Sequence, residues 1–253
     1  MKVEVLGSYG GESPECRMTC LLVNERVALD AGSLTQALSI ERQQRVEAIV
    51  LTHSHMDHTT SLPFFVENVY GRSRAAVEIY ASATTTYAIR KNLFNNASWP
   101  DFTRLPNNLL PSVQFRNLEE EVPVVLGDVR FTPFAVDHLV PTFGYLIEYQ
   151  GSSVVWSSDT GPTIRLWEIA NAAPGLKAVL LDTSFDNSMQ RIADLSLHLT
   201  PQTMSEEIRK LEQDVPVYLH HLKPPCIERI HEEVAALQDP RIRFLEQGKL
   251  YEF

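Results

Sequence analysis

Apolar residues recur along the chain at two spacings, and the switches between them mark out its elements. Val3 and Val5 alternate with charged positions, so residues 3–6 read as a strand, and 19–23 and Val27–Leu29 continue in that style. Ser33 is of helix N-cap type, and a helical stretch is predicted from it to about residue 44. An unbroken apolar run at 48–51 predicts a buried strand that ends in a burst of His and Asp. Helical spacing near 61–70 and 84–94 flanks a strand at Val77–Ala81. Residues 95–111 carry three prolines and four asparagines and read as a loop or excursion. Period-two alternation returns at 113–115, 129–134, 144–148 and 153–156. The rest alternates helices at 163–171, 201–211 and 228–237 with strands at 178–181, 215–219 and 242–245.

Each half thus combines strands of mostly antiparallel character with helices, which suits two sheets packed face to face and covered by helices outside. No repeat, low-complexity tract or Gly/Ser linker interrupts the pattern, so residues 1–253 are expected to form a single domain. No apolar run approaches the roughly 20 residues that span a bilayer. The start of the chain lacks the long apolar stretch and small-residue cleavage site of a signal peptide. Three cysteines do not suggest a disulfide framework, and a reducing cytoplasm is the expected setting. Composition is otherwise ordinary, but the formal net charge of −10 offers no electrostatic footprint for a long polyanion. That weighs against long nucleic acids as partners and toward a small molecule, and it leaves a homodimer open.

The strongest chemical signal is Thr52-His53-Ser54-His55-Met56-Asp57-His58, directly after the strand at 48–51. Three imidazoles and a carboxylate this dense supply divalent-metal ligands and have little packing rationale. In a loop at a strand end, alternate residues His53 and His55 can reach one metal, while Asp57 and His58 turn toward a second beside it.

The order H-x-H-x-D-H is the signature of the metallo-β-lactamase superfamily, which this chain resembles over almost its whole length. The resemblance implies an α/β fold, a four-layer αββα sandwich with a metal site at one edge of the two sheets. It adds an early Asp after a strand, here Asp30. A later His, a later Asp and a final His follow, and His138, Asp159 and His221 stand in that order. Carried over, His53, His55 and His138 hold one metal, Asp57, His58 and His221 hold the other, and Asp159 bridges them. Asp30 then braces the His loop without touching metal. His220 competes with His221, which is preferred because His221-Leu222-Lys223-Pro224 resembles the family's last His segment. Two divalent ions are implied, with zinc the default for a His-rich site and manganese or iron allowed by the carboxylates. Such a pair can hold a bridging hydroxide at neutral pH and grip both oxygens of an in-line displacement.

Three further features select a branch. Leu181-Asp182-Thr183-Ser184-Phe185 and Leu197-His198-Leu199-Thr200-Pro201 resemble a paired motif of the family's phosphodiesterases, in which an acidic residue orients a His near the leaving oxygen. Those enzymes usually carry Glu and Gly-His where this chain has Asp182 and Leu197-His198. His198 is accordingly the expected general acid and Asp182 its partner, with Asp57 also at the reacting centre. Next, Asn96-Ala97-Ser98-Trp99-Pro100-Asp101-Phe102 resembles a segment of class II cyclic-nucleotide phosphodiesterases, although Met56 and Thr59 depart from that class's His motif. Trp99 or Phe102 then either stacks on a nucleobase or anchors the excursion to the core. Lys223 is a candidate phosphate contact or a surface lysine. Last, the long Gly- and basic-rich arm of the tRNA 3′-end-processing nuclease has no counterpart here. The expectation is a hydrolase opening 3′,5′-cyclic nucleotides, cyclic AMP first, to 5′-monophosphates. Its rivals are an RNA- or oligonucleotide-cleaving phosphodiesterase, a lactonase- or thioesterase-like hydrolase, and a metal-holding accessory protein without turnover.

Overall fold

The structure, a computed structural model, describes residues 1–71, 76–107 and 110–253. Among these, two seven-stranded sheets face one another. The first runs, in spatial order, Leu250–Glu252, Lys2–Gly7, Cys20–Val23, Val27–Leu29, Ala48–Val50, Val77–Ala81 and Val113–Asn117. The second runs Ile242–Phe244, Val217–His220, Leu176–Asp182, Ser152–Trp156, Thr142–Tyr149, Val129–Val136 and Val124–Leu126.

The period-two pattern explains the layering. In Leu176–Asp182, Ala178 and Leu180 point between the sheets, whereas Val179 and Leu181 point outward. In Ala48–Val50, Ala48 and Val50 point inward, and Ile49 with the following Leu51 points outward. Phe131, Tyr145 and Trp156 fill the space between the sheets. Leu62, Phe65 and Val66 of helix Leu62–Val69, with Ile89 of helix Ala83–Asn92, cover the first sheet from outside. Leu166, Met204 and Ile230 do the same for the second sheet, from helices Arg165–Ala172, Pro201–Ile208 and Ile227–Leu237. The result is the four-layer αββα sandwich expected of the sequence. Each fully buried aliphatic or Phe side chain contributes roughly 1.5–3 kcal/mol of transfer free energy. No helix among the described residues is long and apolar enough to cross a membrane.

Strand direction departs from the expectation. The first sheet pairs antiparallel from Leu250–Glu252 through Val27–Leu29 and parallel from there to Val113–Asn117. The second repeats the arrangement, antiparallel from Val124–Leu126 to Ser152–Trp156 and parallel beyond. Helical crossovers demand parallel neighbours. The same crossovers bring the carboxyl ends of the parallel strands to one edge, where Tyr145 Oη donates to Leu51 O at 2.7 Å and Phe143 N to Thr52 O at 3.1 Å.

Local chemistry corrects other expectations. The stretch predicted at 33–44 splits into two single turns, Leu34–Ala37 and Ile40–Gln43, separated by an extended Leu38. Ser33 stands at the N-cap of the first turn, but its hydroxyl donates to Met18 O at 2.7 Å and accepts no cap hydrogen bond, whereas the Ser39 side chain caps the second turn. Helix Gln190–Ser196 and strands Val124–Leu126 and Leu250–Glu252 were not anticipated, each being short and weakly patterned. Within the excursion, Pro106–Asn107 pairs with Leu110–Pro111, and residues 108–109 lie outside the described ones.

Candidate metal centre

Every predicted ligand lies where a chain segment leaves the shared edge. The loop 52–58 follows Ala48–Val50, His138 follows Val129–Val136, Asp159 follows Ser152–Trp156, and His221 follows Val217–His220. Ligand atoms of His53, His55, His138 and Asp159 lie within 4.8 Å of one another, as do those of Asp57, His58, Asp159 and His221. Asp159 belongs to both groups. Its Oδ2 is 3.6 Å from His53 Nε2 and 3.3 Å from His221 Nε2, and its Oδ1 is 3.2 Å from His58 Nε2.

Hydrogen bonds behind the imidazoles decide which nitrogen each presents. His53 Nδ1 donates to Thr52 Oγ1 at 2.9 Å, and His58 Nδ1 donates to Asp30 Oδ2 at 2.8 Å. Asp30 also accepts from Thr52 N at 2.8 Å, so one buried carboxylate braces the whole loop. His138 Nδ1 donates to Leu197 O at 3.2 Å, and His221 Nδ1 to Ser184 Oγ at 2.8 Å. The remaining lone pairs converge. His58 Nε2 stands 3.3 Å from His221 Nε2, and His138 Nε2 stands 3.2 Å from His55 Nδ1. Buried His53 Nε2 has no hydrogen-bond partner, and Asp159 Oδ1 has none of acceptable geometry despite the nearby His58. Lone pairs facing lone pairs around a buried carboxylate are stable only with a cation between them. The donor set therefore fits two divalent ions sharing Asp159.

The electrostatics agree. Burial pushes His53 and His55 below the ordinary imidazole value, and His138 down to about 4, so these three are neutral and ready to ligate. Burial opposes charge on His58 as well, but the Asp159 and Asp30 carboxylates override it and raise the imidazole well above its usual value. Asp57 and Asp159, despite burial, are held well below the usual carboxylate range by the neighbouring His side chains.

A second set lies against the first. His198 Nδ1 donates to Asp182 Oδ2 at 2.6 Å, and its ring is 5.0 Å from that of His138 and 5.2 Å from that of His221. Asp182 also accepts from Thr160 N at 3.0 Å and from Ser184 Oγ at 2.6 Å. Asp182, His198 and His221 also place ligand atoms close together. The Nδ1 atoms of both imidazoles are already committed to hydrogen bonds, so this set orients His198 and is no third metal site. Burial works against charging His198, but Asp182 more than offsets it and raises its pKa.

The backbone is constrained at this edge. Asp30, Ser158, Leu197 and His221 all adopt positive φ, 59°, 57°, 53° and 68°, which side-chain-bearing residues rarely do. Gly10 lies against His221, and a Cβ there would meet its Cε1 at 2.5 Å.

The other candidates separate clearly. His220 points into the core, stacked on Trp156 with ring centroids 3.9 Å apart, and burial lowers it to about 3. Lys223 is at the site, its Nζ donating to Gly10 O at 2.6 Å and lying 3.4 Å from Asp57 Oδ2. Phe102 is 6% exposed and packs between Tyr70 and Phe94, so it anchors the excursion and offers no face to a base. Trp99 is half-buried with its ring edge on Phe64, which is again an anchoring contact. Sequence reasoning missed Thr52 and Ser184, although both lie inside segments it singled out, because hydroxyls carry no spacing signal. It also missed the Leu197 carbonyl, which depends on tertiary placement alone.

A family model described as "Beta-lactamase superfamily domain" matches residues 25–221. The chain is 24% identical over 314 positions to a 3′,5′-cyclic-nucleotide phosphodiesterase of Aliivibrio fischeri, across 98% of this chain and 91% of that protein. It is 27% identical over 163 positions to ribonuclease Z of Streptococcus suis, across 58% of this chain and 50% of that enzyme. Unliganded yeast PDE1 superposes with a TM-score of 0.80 at 17% identity, covering 98% of each chain.

Asp159→Ala removes the carboxylate common to both groups, so both ions are expected to be lost. Elemental analysis after gel filtration should show well under one equivalent per chain. Retention of two equivalents would remove Asp159 from the bridging position.

Proposed function

This chain belongs to the β-lactamase superfamily, and from that membership we propose that it is a dinuclear metal-dependent phosphodiesterase that opens 3′,5′-cyclic nucleotides. Cyclic AMP, hydrolysed to 5′-AMP, is the leading substrate. The observation that carries this reading is the contact between a carboxylate-sharing pair of metal-ligand groups and an imidazole held by its own buried aspartate. A thiolate leaving a thioester needs little protonation, whereas an alkoxide leaving phosphorus needs a general acid.

In this mechanism His53, His55 and His138 would hold one divalent ion and Asp57, His58 and His221 the other, with Asp159 belonging to both groups. Zinc is the ion expected of so many imidazoles. When bound, the pair supplies an activated water nucleophile and neutralises the phosphoryl oxygens. The Lys223 ammonium adds positive charge on the Asp57 side, where a phosphate oxygen would lie. With Nδ1 donating to Asp182, the second proton of a charged His198, on Nε2, is the one delivered to the departing 3′-oxygen. The Asp182 carboxylate favours the charged imidazole needed for that step.

The choice of a cyclic mononucleotide rests on alignment and charge. Similarity to the cyclic-nucleotide phosphodiesterase runs nearly end to end, while that to ribonuclease Z reaches half of the nuclease. A net charge of −10 disfavours a long RNA, whose binding draws much of its strength from phosphate neutralisation. The three free, buried cysteines suit a reducing cytoplasm.

His198→Ala should lower kcat on cyclic AMP by about 10²–10⁴-fold with metal content unchanged. The loss should be much smaller on a nitrophenyl phosphodiester, whose leaving group departs without a proton. Equal losses on both substrates would count against the acid role. A side-by-side kcat/KM comparison on cyclic AMP, cyclic GMP, a 2′,3′-cyclic nucleotide, a short RNA and a lactone tests the substrate. Cyclic AMP should lead. Lactone turnover with inert cyclic nucleotides would overturn the phosphodiesterase reading, and preference for RNA would replace only the substrate.

A further inference from the structure

Along the carboxyl edge of the first sheet, beyond the metal loop, lies a cavity of about 440 Å³. It is lined by Ala83, Thr86, Tyr87, Arg90, Lys91 and Asn117. Strands Val77–Ala81 and Val113–Asn117 run parallel to Ala48–Val50 and are the next two in the sheet, so their ends open on the side that carries the metal loop. At about 4.8 Å per strand, the cavity begins roughly 5–10 Å along the edge from that loop.

We propose that this cavity is a nucleotide-binding site separate from the metal centre, with the base against Tyr87 and the phosphate on Arg90 and Lys91. Five observations carry it. Tyr87 is 64% exposed on helix Ala83–Asn92, an aromatic face held out to solvent. Lys91 Nζ lies 5.6 Å from the centre of that ring, so cation and aromatic are already side by side. Among the described residues neither Arg90 nor Lys91 pairs with a carboxylate, whereas the nearby Arg116 is held by Glu78 at 2.8 Å. The hydroxyl oxygen of Thr86 is sheltered from solvent with no hydrogen-bond partner, and with the Asn117 amide it supplies directional bonds to a bound base or ribose. Among the described residues no carboxylate lines the cavity, which sets it apart on a chain of net charge −10. Stacking plus phosphate contact is the chemistry by which proteins hold a nucleotide without reading its sequence. The ligand is therefore either a free mononucleotide or the flanking nucleotide of an oligonucleotide substrate.

The test is photolabelling of the purified full-length protein with 8-azido-AMP, mapped by peptide mass spectrometry. Label is expected on residues 83–92. It should fall at least tenfold in the double variant Arg90→Ala, Lys91→Ala and in Tyr87→Ala, and be restored in Tyr87→Phe, which keeps the stacking face. All three side chains are exposed, and unchanged melting temperatures will show that the variants fold. Label confined to the metal loop, or undiminished in the double variant, would overturn the site. Competition separates the sources: displacement of label by a trinucleotide at lower concentration than by AMP identifies a flanking nucleotide, and the reverse order identifies a free one. Labelling needs no turnover, so a labelled helix in a protein that hydrolyses no diester would keep this site and remove only the catalytic reading.

Discussion

The Asp159 carboxylate is the constraint on which the edge of this sandwich depends. It is 1% exposed, and four imidazoles from three separate chain segments point at it. A buried anion faced by imidazole nitrogens is unfavourable by several kcal/mol unless cationic charge fills the gaps between them. The surrounding hydrogen bonds make that arrangement obligatory, because they consume the other nitrogen of His53, His58, His138 and His221. Each imidazole is left one way to be satisfied. Asp30 and Asp182 act at one remove, one holding the His loop and the other holding His198.

The fold makes this convergence through strand direction. Parallel pairing in both sheets sends the chain out at one edge again and again, and the two sheets are tied there by Tyr145 and Phe143. Where the strands turn into the site within one or two residues, Asp30, Ser158 and His221 adopt left-handed backbone. Such conformations cost on the order of 1–3 kcal/mol each, so the strain sits where function requires it and is offset by the packed layers on either side.

Much of this was legible in the chain. The unbroken run at 48–51 and the His cluster after it announced both a buried strand and its metal loop, since neither clustering nor burial depends on distant residues. His138, Asp159 and His221 were legible only through their order, and the structure brings all three to the loop. Strand direction was not legible, because alternation is the same in parallel and antiparallel pairs. Ser33 stands at its expected N-cap position, but the use of its hydroxyl was not legible for a related reason: the carbonyl it donates to belongs to Met18, a neighbour only after folding. The aromatic segment at 99–102 left two readings open, because an aromatic that anchors a loop and one that stacks a ligand have the same residue types. Phe102 is sealed between Tyr70 and Phe94.

The central claim is that two ions act as a unit through one shared carboxylate. It is tested most directly by titrating zinc into chelator-stripped wild-type protein while following bound metal and phosphodiester turnover together. Two equivalents per chain should bind, with turnover rising steeply only as the second is taken up. Saturation of both signals at a single equivalent would contradict the account.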